Sequence, residues 1–195
     1  MTAIIGLTGT VGAGKSSALE ALGQLGAATI SSDAVVHELL ATDELREALV
    51  ARWGDGVAPN GTLDRSRVGE VVFRDPDELA WLESQLHPRV GARIAEWRRE
   101  IDPSTGVAVA EVPLLFESGI EDLFDAVLCV TAPEELRRQR AQARGLGDLE
   151  ARGGRQLSDE EKAARSDFVV ANDGSLTDLE ARLRELLPEL ERARQ

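Results

Sequence analysis

Five short apolar runs punctuate the chain: Ile4 to Leu7, Ala28 to Ile30, Val107 to Val112, Ala126 to Val130 and Phe168 to Val170. None alternates cleanly with polar residues, as a strand with one wet face does, so each reads as a strand covered on both faces. Stretches of helical spacing separate them. Ser17 to Leu25 stops at Gly26, Ala34 to Leu40 follows the second run, and Glu134 to Arg144 follows the fourth. Strands alternating with helices predict an α/β domain whose five-stranded parallel sheet is joined by right-handed βαβ crossovers. Between the second and third runs only helical patterns occur. Asp64 to Phe73 opens on a capping Asp, Asp77 to Leu86 carries Leu79, Leu82 and Leu86 on one side, and Pro88 to Glu100 begins with a first-turn proline, so that His87-Pro88 reads as a joint. This predicts a helical insert over 61–104, entered through the turn-rich Trp53 to Gly61. The core then comprises 1–60, 105–137 and 160–195, and the hydrophilic stretch Gly145 to Ser158 reads as part of a lid over 138–159.

Composition narrows the class. A hydrophobic fraction of 43% in 195 residues suffices for one packed core with a modest insert. No apolar stretch has the length of a bilayer span and no cleavable leader precedes the first strand, so a cytoplasmic protein without membrane attachment is expected. A net charge of −13 disfavours nucleic acid as a partner, because such binding needs many phosphate contacts from clustered Lys and Arg. Small phosphates remain compatible. The single cysteine, Cys129, sits in an apolar run and reads as a small buried hydrophobe. With two histidines and one cysteine, a zinc cluster is disfavoured. Trp53, Trp81 and Trp97 are scattered, as hydrophobic anchors are, and form no base-stacking platform.

The chemistry concentrates after the first strand. Gly9-Thr10-Val11-Gly12-Ala13-Gly14-Lys15-Ser16 fits GxxxxGK[ST] and stands between a strand and a helix, the context that a phosphate loop requires; a plain Gly-rich turn is the alternative. Its glycines let backbone N–H groups converge on an anion, Lys15 adds a cation, and the Ser16 hydroxyl is a ligand for Mg²⁺. A nucleoside triphosphate with Mg²⁺ is the expected pair, bound over Gly9 to Ser16. Asp33 follows the second strand, where open α/β sheets place their ligand crevice. It has two roles open: base or metal-positioning acid for phosphoryl transfer, and helix N-cap. Arg140 and Arg144 lie one helical turn apart and can converge on a transferring phosphoryl group, although an Arg pair on a helix is commonly a solvated face. Arg152, Arg155 and Gln156 extend this basic patch. Glu111 ends the third strand and reads either as a metal-positioning acid or as a strand-end residue. Leu114, Leu115 and Phe116 follow Pro113 and read as packing against the insert or a substrate, with Glu117 a weaker candidate. Asn172-Asp173-Gly174 follows the last strand, where a loop touching the nucleotide base and a plain turn are equally open.

Several of these segments together resemble the dephospho-CoA kinase family. Leu7-Thr8-Gly9 through Lys15-Ser16-Ser17 resembles its phosphate loop, Asp33 its general base, and Leu86-His87-Pro88 and Val112-Pro113-Leu114-Leu115-Phe116-Glu117 its substrate-side motifs. Arg140, Arg144, Arg152 with Gln156, Lys162, Asp167 and Asn172 with Gly174 follow in the family's order. The resemblance implies a three-layer P-loop kinase fold with a helical CoA-binding insert and a lid. It also implies ATP-dependent phosphorylation of the ribose 3′-hydroxyl of dephospho-CoA. In that reading Asp33, Lys15, Arg140 and Arg144 are catalytic. Gly9 to Ser17 and Asn172 hold the nucleotide, Ser16 the metal, and Asp33, His87 and Leu114 to Glu117 the second substrate. A monomer is expected. Thr10 departs from the family's pattern, which usually has a second glycine there, and Ser31 stands where an aspartate is frequent.

Three other readings stay open on the residues alone. A kinase of the same fold acting on another small alcohol or nucleotide shares every motif of the core. A nucleotide-dependent switch or assembly ATPase shares the loop, but the chain lacks an Asn-Lys-x-Asp motif and has Glu-Val-Pro at the end of the third strand. A noncatalytic nucleotide-binding module is the third.

Overall fold

A computed structural model describes residues 2–143 and 156–193. Its five strands are β1 (Ala3–Thr8), β2 (Ala28–Ser31), β3 (Val107–Glu111), β4 (Ala126–Thr131) and β5 (Phe168–Ala171). They form one sheet in the order β2-β3-β1-β4-β5, and every neighbouring pair is parallel. The helices are α1 (Lys15–Gln24), α2 (Ser32–Leu40), α3 (Asp43–Trp53), α4 (Arg65–Val72), α5 (Pro76–Glu100), α6 (Glu134–Ala143), α7 (Asp159–Arg165) and α8 (Leu176–Leu190). The chain leaves β1 toward β2 on one side and later leaves β3 toward β4 on the other. The sheet order therefore reverses between β1 and β3, and a crevice opens at the carboxyl ends of these two strands.

The runs of β1, β3 and β4 meet the expectation of double coverage, whereas the edge strands β2 and β5 leave Thr29 and Val169 exposed. Ala3, Ile5 and Leu7 of β1, Val107 and Val109 of β3, and Ala126, Leu128 and Val130 of β4 share one buried cluster with Ala18, Ala21 and Leu22 of α1 and Leu179, Leu183 and Leu190 of α8. Intervening residues point to the other face. There Gly6 leaves room for Leu115 and Phe124: a Cβ at Gly6 would stand 2.5 Å from Leu115 Cδ1 and 3.0 Å from Phe124 Cδ2. With α7 lying against β4, the three layers are complete. Two aspartates seat strand ends, since Asp125 accepts from the Ile4 N–H and Asp167 from the Val127 N–H.

The residues up to Ser31 and from Glu100 onward form one compact unit, and Ser32–Arg99 forms another. The helical unit thus starts well before the insert read from the pattern at 61, and residues 32–60 belong with it. The reason is packing. Leu45 and Leu49 of α3 bury themselves with Val57, Ala58 and Leu63 of the supposed connection and with Val68, Val72, Leu82 and Leu86. Asp64 caps α4 as expected, accepting from the Ser66 and Arg67 N–H groups. Trp53 and Trp81 meet edge to face at 5.3 Å, and Glu78 accepts from Trp53 Nε1 while binding Arg52 in bidentate fashion. The joint expected at His87-Pro88 is absent: α5 runs unbroken through Pro88. Proline deprives the Ser84 carbonyl of its helical donor, and Arg89 Nη1, one residue on, bonds the Gln85 carbonyl at 2.8 Å.

Among the described residues no helix is long and apolar enough to cross a membrane. Cys129 is fully buried, and burial followed by the nearby Asp159 charge pushes its thiol up to about 11. Native protein at pH 8 is accordingly expected to resist thiol-specific reagents, with one equivalent reacting after denaturation; rapid native labelling measured by mass would contradict this packing.

Candidate active site

The loop Gly9 to Gly14 joins β1 to α1 at the reversal of strand order. Gly14 caps α1 in the left-handed region with φ 100° and offers no side-chain cap to the first-turn N–H groups. These donors, together with the helix dipole, suit a phosphate. A side chain at Gly14 would collide with Asn172 Nδ2, and one at Gly12 (φ 80°) would stand 2.6 Å from the Arg137 carbonyl oxygen. Steric demand therefore fixes glycine at both positions.

Within the loop, Lys15 Nζ donates to the Thr10 carbonyl at 3.1 Å, and the Ala13 N–H donates to the same oxygen at 3.2 Å. Ser16 is exposed at the start of α1, and its Oγ donates to Glu111 Oε1 at 3.4 Å. Glu111 ends β3, the neighbour of β1, and is only 3% exposed. A hydroxyl backed by a buried carboxylate is a donor set that fits Mg²⁺, which takes few protein ligands beside phosphate and water. Among the described residues no group of three or more His, Cys, Asp or Glu side chains gathers as a metal site.

Helix α6 holds the loop from outside. Arg140 donates to the Asn172 backbone oxygen at 3.2 Å and to its Oδ1 at 3.4 Å, while Asn172 Nδ2 donates to the Ala13 carbonyl at 2.8 Å. Asn172, read from sequence as a contact to the nucleotide base, is buried and clasps the loop backbone. One turn earlier, Arg137 Nη1 donates to Thr10 Oγ1 at 3.0 Å, and the Thr10 hydroxyl donates to Asp159. Neither Arg137 nor Asp159 stands out in the sequence. Their partner lies 149 residues from Asp159, and only the fold brings them together.

Other expected positions fall differently. Leu115 and Phe116 are buried, Leu115 beneath Gly6 and Phe116 under the Arg165 guanidinium at 4.4 Å, so they support the sheet and present no surface to a substrate. Leu114 is half-buried. Glu117 pairs with the fully buried Lys162 at 2.8 Å and accepts the Leu157 N–H at 2.8 Å. Lys162 also donates to the Pro113 carbonyl at 2.9 Å. Asp33 is exposed in the first turn of α2, two residues past Ser31, which is in register with Glu111. His87 is exposed on α5. Arg144, Arg152, Arg155 and most of the lid read over 138–159 lie outside the described residues.

Burial raises the Glu117 carboxyl, and the Lys162 and Leu157 hydrogen bonds more than offset it, leaving the group below its ordinary 4.5. A depressed carboxylate stabilises the fold above its unfolded value and loses that contribution as pH falls through its folded one. Glu117→Gln leaves a buried ammonium without its counter-charge, so it should cost about 3 kcal/mol at pH 7. The gap to the parent protein should close at pH below 4.5; urea melts across pH measure it, and a gap constant with pH would contradict the pairing.

The family model described as dephospho-CoA kinase matches residues 3–178. A dephospho-CoA kinase of Thermobifida fusca is 40% identical over 194 residues, covering 96% of each chain. A crystal structure of a Thermus thermophilus protein superposes with a TM-score of 0.82 at 36% identity, covering 97% of this chain and 98% of that one. The dephospho-CoA kinase from Campylobacter jejuni superposes at 0.71 with 29% identity, covering 98% of both.

Proposed function

Because this chain belongs to the dephospho-CoA kinase family, we infer that it is an ATP-dependent kinase that phosphorylates the ribose 3′-hydroxyl of dephospho-CoA, yielding CoA and ADP. The observation that carries the reading is the glycine-capped start of α1 at Gly14, with Ser16 Oγ 3.4 Å from buried Glu111 at the point where the strand order reverses. That arrangement suits a metal-bound polyphosphate with its terminal group at Lys15.

The roles follow from chemistry. The N–H groups between Gly9 and Ser17 bind phosphate oxygens, and Lys15 exchanges its bond to the Thr10 carbonyl for the β- and γ-phosphates. Ser16 would hold Mg²⁺, with Glu111 behind it orienting the hydroxyl or a coordinated water. The ion, when bound, neutralises phosphate charge. Arg140 and Arg144 stabilise the charge spread over the moving phosphoryl group. Asp33 orients the attacking hydroxyl and takes its proton, a role supported by its exposure beyond the carboxyl end of β2 and by its match to the family's base. The helical unit, with His87, and the half-buried Leu114 recognise dephospho-CoA. The polar segment over 138–159 excludes water as a lid, which limits futile hydrolysis of ATP. The reading carries with it a cytoplasmic enzyme that works as a monomer.

Purified protein given ATP, Mg²⁺ and dephospho-CoA is expected to produce CoA, read by mass. ATP consumption without a CoA product would overturn the assignment of acceptor. Asp33→Asn should bind ATP as the parent does while kcat falls by about a hundredfold or more, the lower end of what a positioned base contributes. Near-normal turnover in that variant would remove Asp33 from the reaction.

A further inference from the structure

Thr10 lies in the loop between β1 and α1, and its side chain is fully engaged. The hydroxyl has one proton to donate, and it goes to Asp159 Oδ1; the oxygen accepts from Arg137 Nη1 at 3.0 Å. Arg137 closes the ring, with Nε 3.4 Å from Asp159 Oδ2 and bonded to the Ala132 carbonyl at 3.2 Å. The Ala132 N–H in turn reaches Asp159 Oδ2 at 3.5 Å. Thr10 is 6% exposed, and the side chains of Arg137 and Asp159 are 20% and 13% exposed. Hydrogen bonds to charged groups shielded in this way are the stronger kind.

The peptide carrying this hydroxyl also carries the carbonyl that receives Lys15 Nζ and the Ala13 N–H. Fixing the Thr10 side chain therefore fixes the orientation of the peptide that sets both the lysine and the turn of the loop. Asp159 is also a negative charge beside a site for phosphate, and the Arg137 guanidinium balances it. A glycine at position 10 offers no such hold.

We propose that Thr10, Arg137 and Asp159 form a positioning triad that fixes the phosphate loop in its nucleotide-accepting shape, so that nucleotide affinity depends on the Thr10 hydroxyl. Thr10 acts here through its side chain on the loop, and Arg137 and Asp159 act through Thr10. None of the three is a catalytic residue in this role. The inference rests on the reading of the loop as a nucleotide site.

Two substitutions separate hydroxyl from volume. Thr10→Val keeps the shape and removes the hydroxyl; Thr10→Ser keeps the hydroxyl and removes the methyl. By titration calorimetry with Mg-ATP, Thr10→Val should raise Kd by about tenfold, the loss of one charge-assisted bond, while Thr10→Ser stays within about twofold. KM for ATP should rise with Kd, and kcat should change less. If the site serves packing only, the order inverts: Ser, which leaves a void, becomes the weaker binder, and the proposal is overturned. Binding of Thr10→Val equal to that of the parent overturns it too. Where Thr10→Val does not fold, Arg137→Gln removes the opposite arm of the hydroxyl and should weaken Mg-ATP binding by a similar factor; unchanged affinity there also rejects the triad. Parent protein that binds Mg-ATP yet forms no CoA would reject the acceptor assignment while leaving the triad standing.

Discussion

An anion-binding loop must hold several backbone N–H groups ready for a ligand, so its shape has to be imposed by contacts other than its own ladder. That constraint organises the sheet unit. The loop leaves β1 where strand order reverses, and glycines occupy the places where Asn172 and the Arg137 carbonyl press against it. Helix α6 then grips it twice, through Arg137 at Thr10 and through Arg140 and Asn172 at Ala13. The helix lies across the loop because β4 delivers it there, and β4 lies beside β1 because their apolar residues share one cluster. Remove the sheet register and neither clasp can form.

The sheet was legible because buried parallel strands write their burial directly into apolar composition. Within a residue or two the five runs are the five strands, and the motif at Gly9 to Ser16 stands where its spacing places it. The clasps were not legible. Arg137 and Asp159 are each unremarkable locally, and hydrogen bonding to Thr10 across such separations leaves no periodicity to read. Asn172 was readable as a loop residue but not as a strut, since the distinction depends on which atom its amide meets. Leu115 and Phe116 show the converse error. A motif shared with a substrate-side segment says that the residues matter, and here they matter by filling the space over Gly6 and beneath Arg165.

The helical unit teaches a different lesson about punctuation. Proline after His87 has the form of a helix start, yet α5 continues, because the packing of Leu82 and Leu86 in the cluster outweighs one missing donor. The glycine-rich Trp53 to Gly61 has the form of a surface connection, yet Val57 and Ala58 are core. Tertiary burial overrode local chemistry in both places, and the unit boundary moved with it from 61 to Ser32.

Cys129 is the chain's one cysteine, and it faces the α7 side of β4 out of reach of solvent. The molecule consequently offers a chemically silent exterior to sulfur-directed probes. Single cysteines introduced on Ser32–Arg99 and on the sheet unit can each carry a fluorophore or spin label without first deleting a native thiol. Labels placed in this way report on each unit separately in an otherwise unaltered protein.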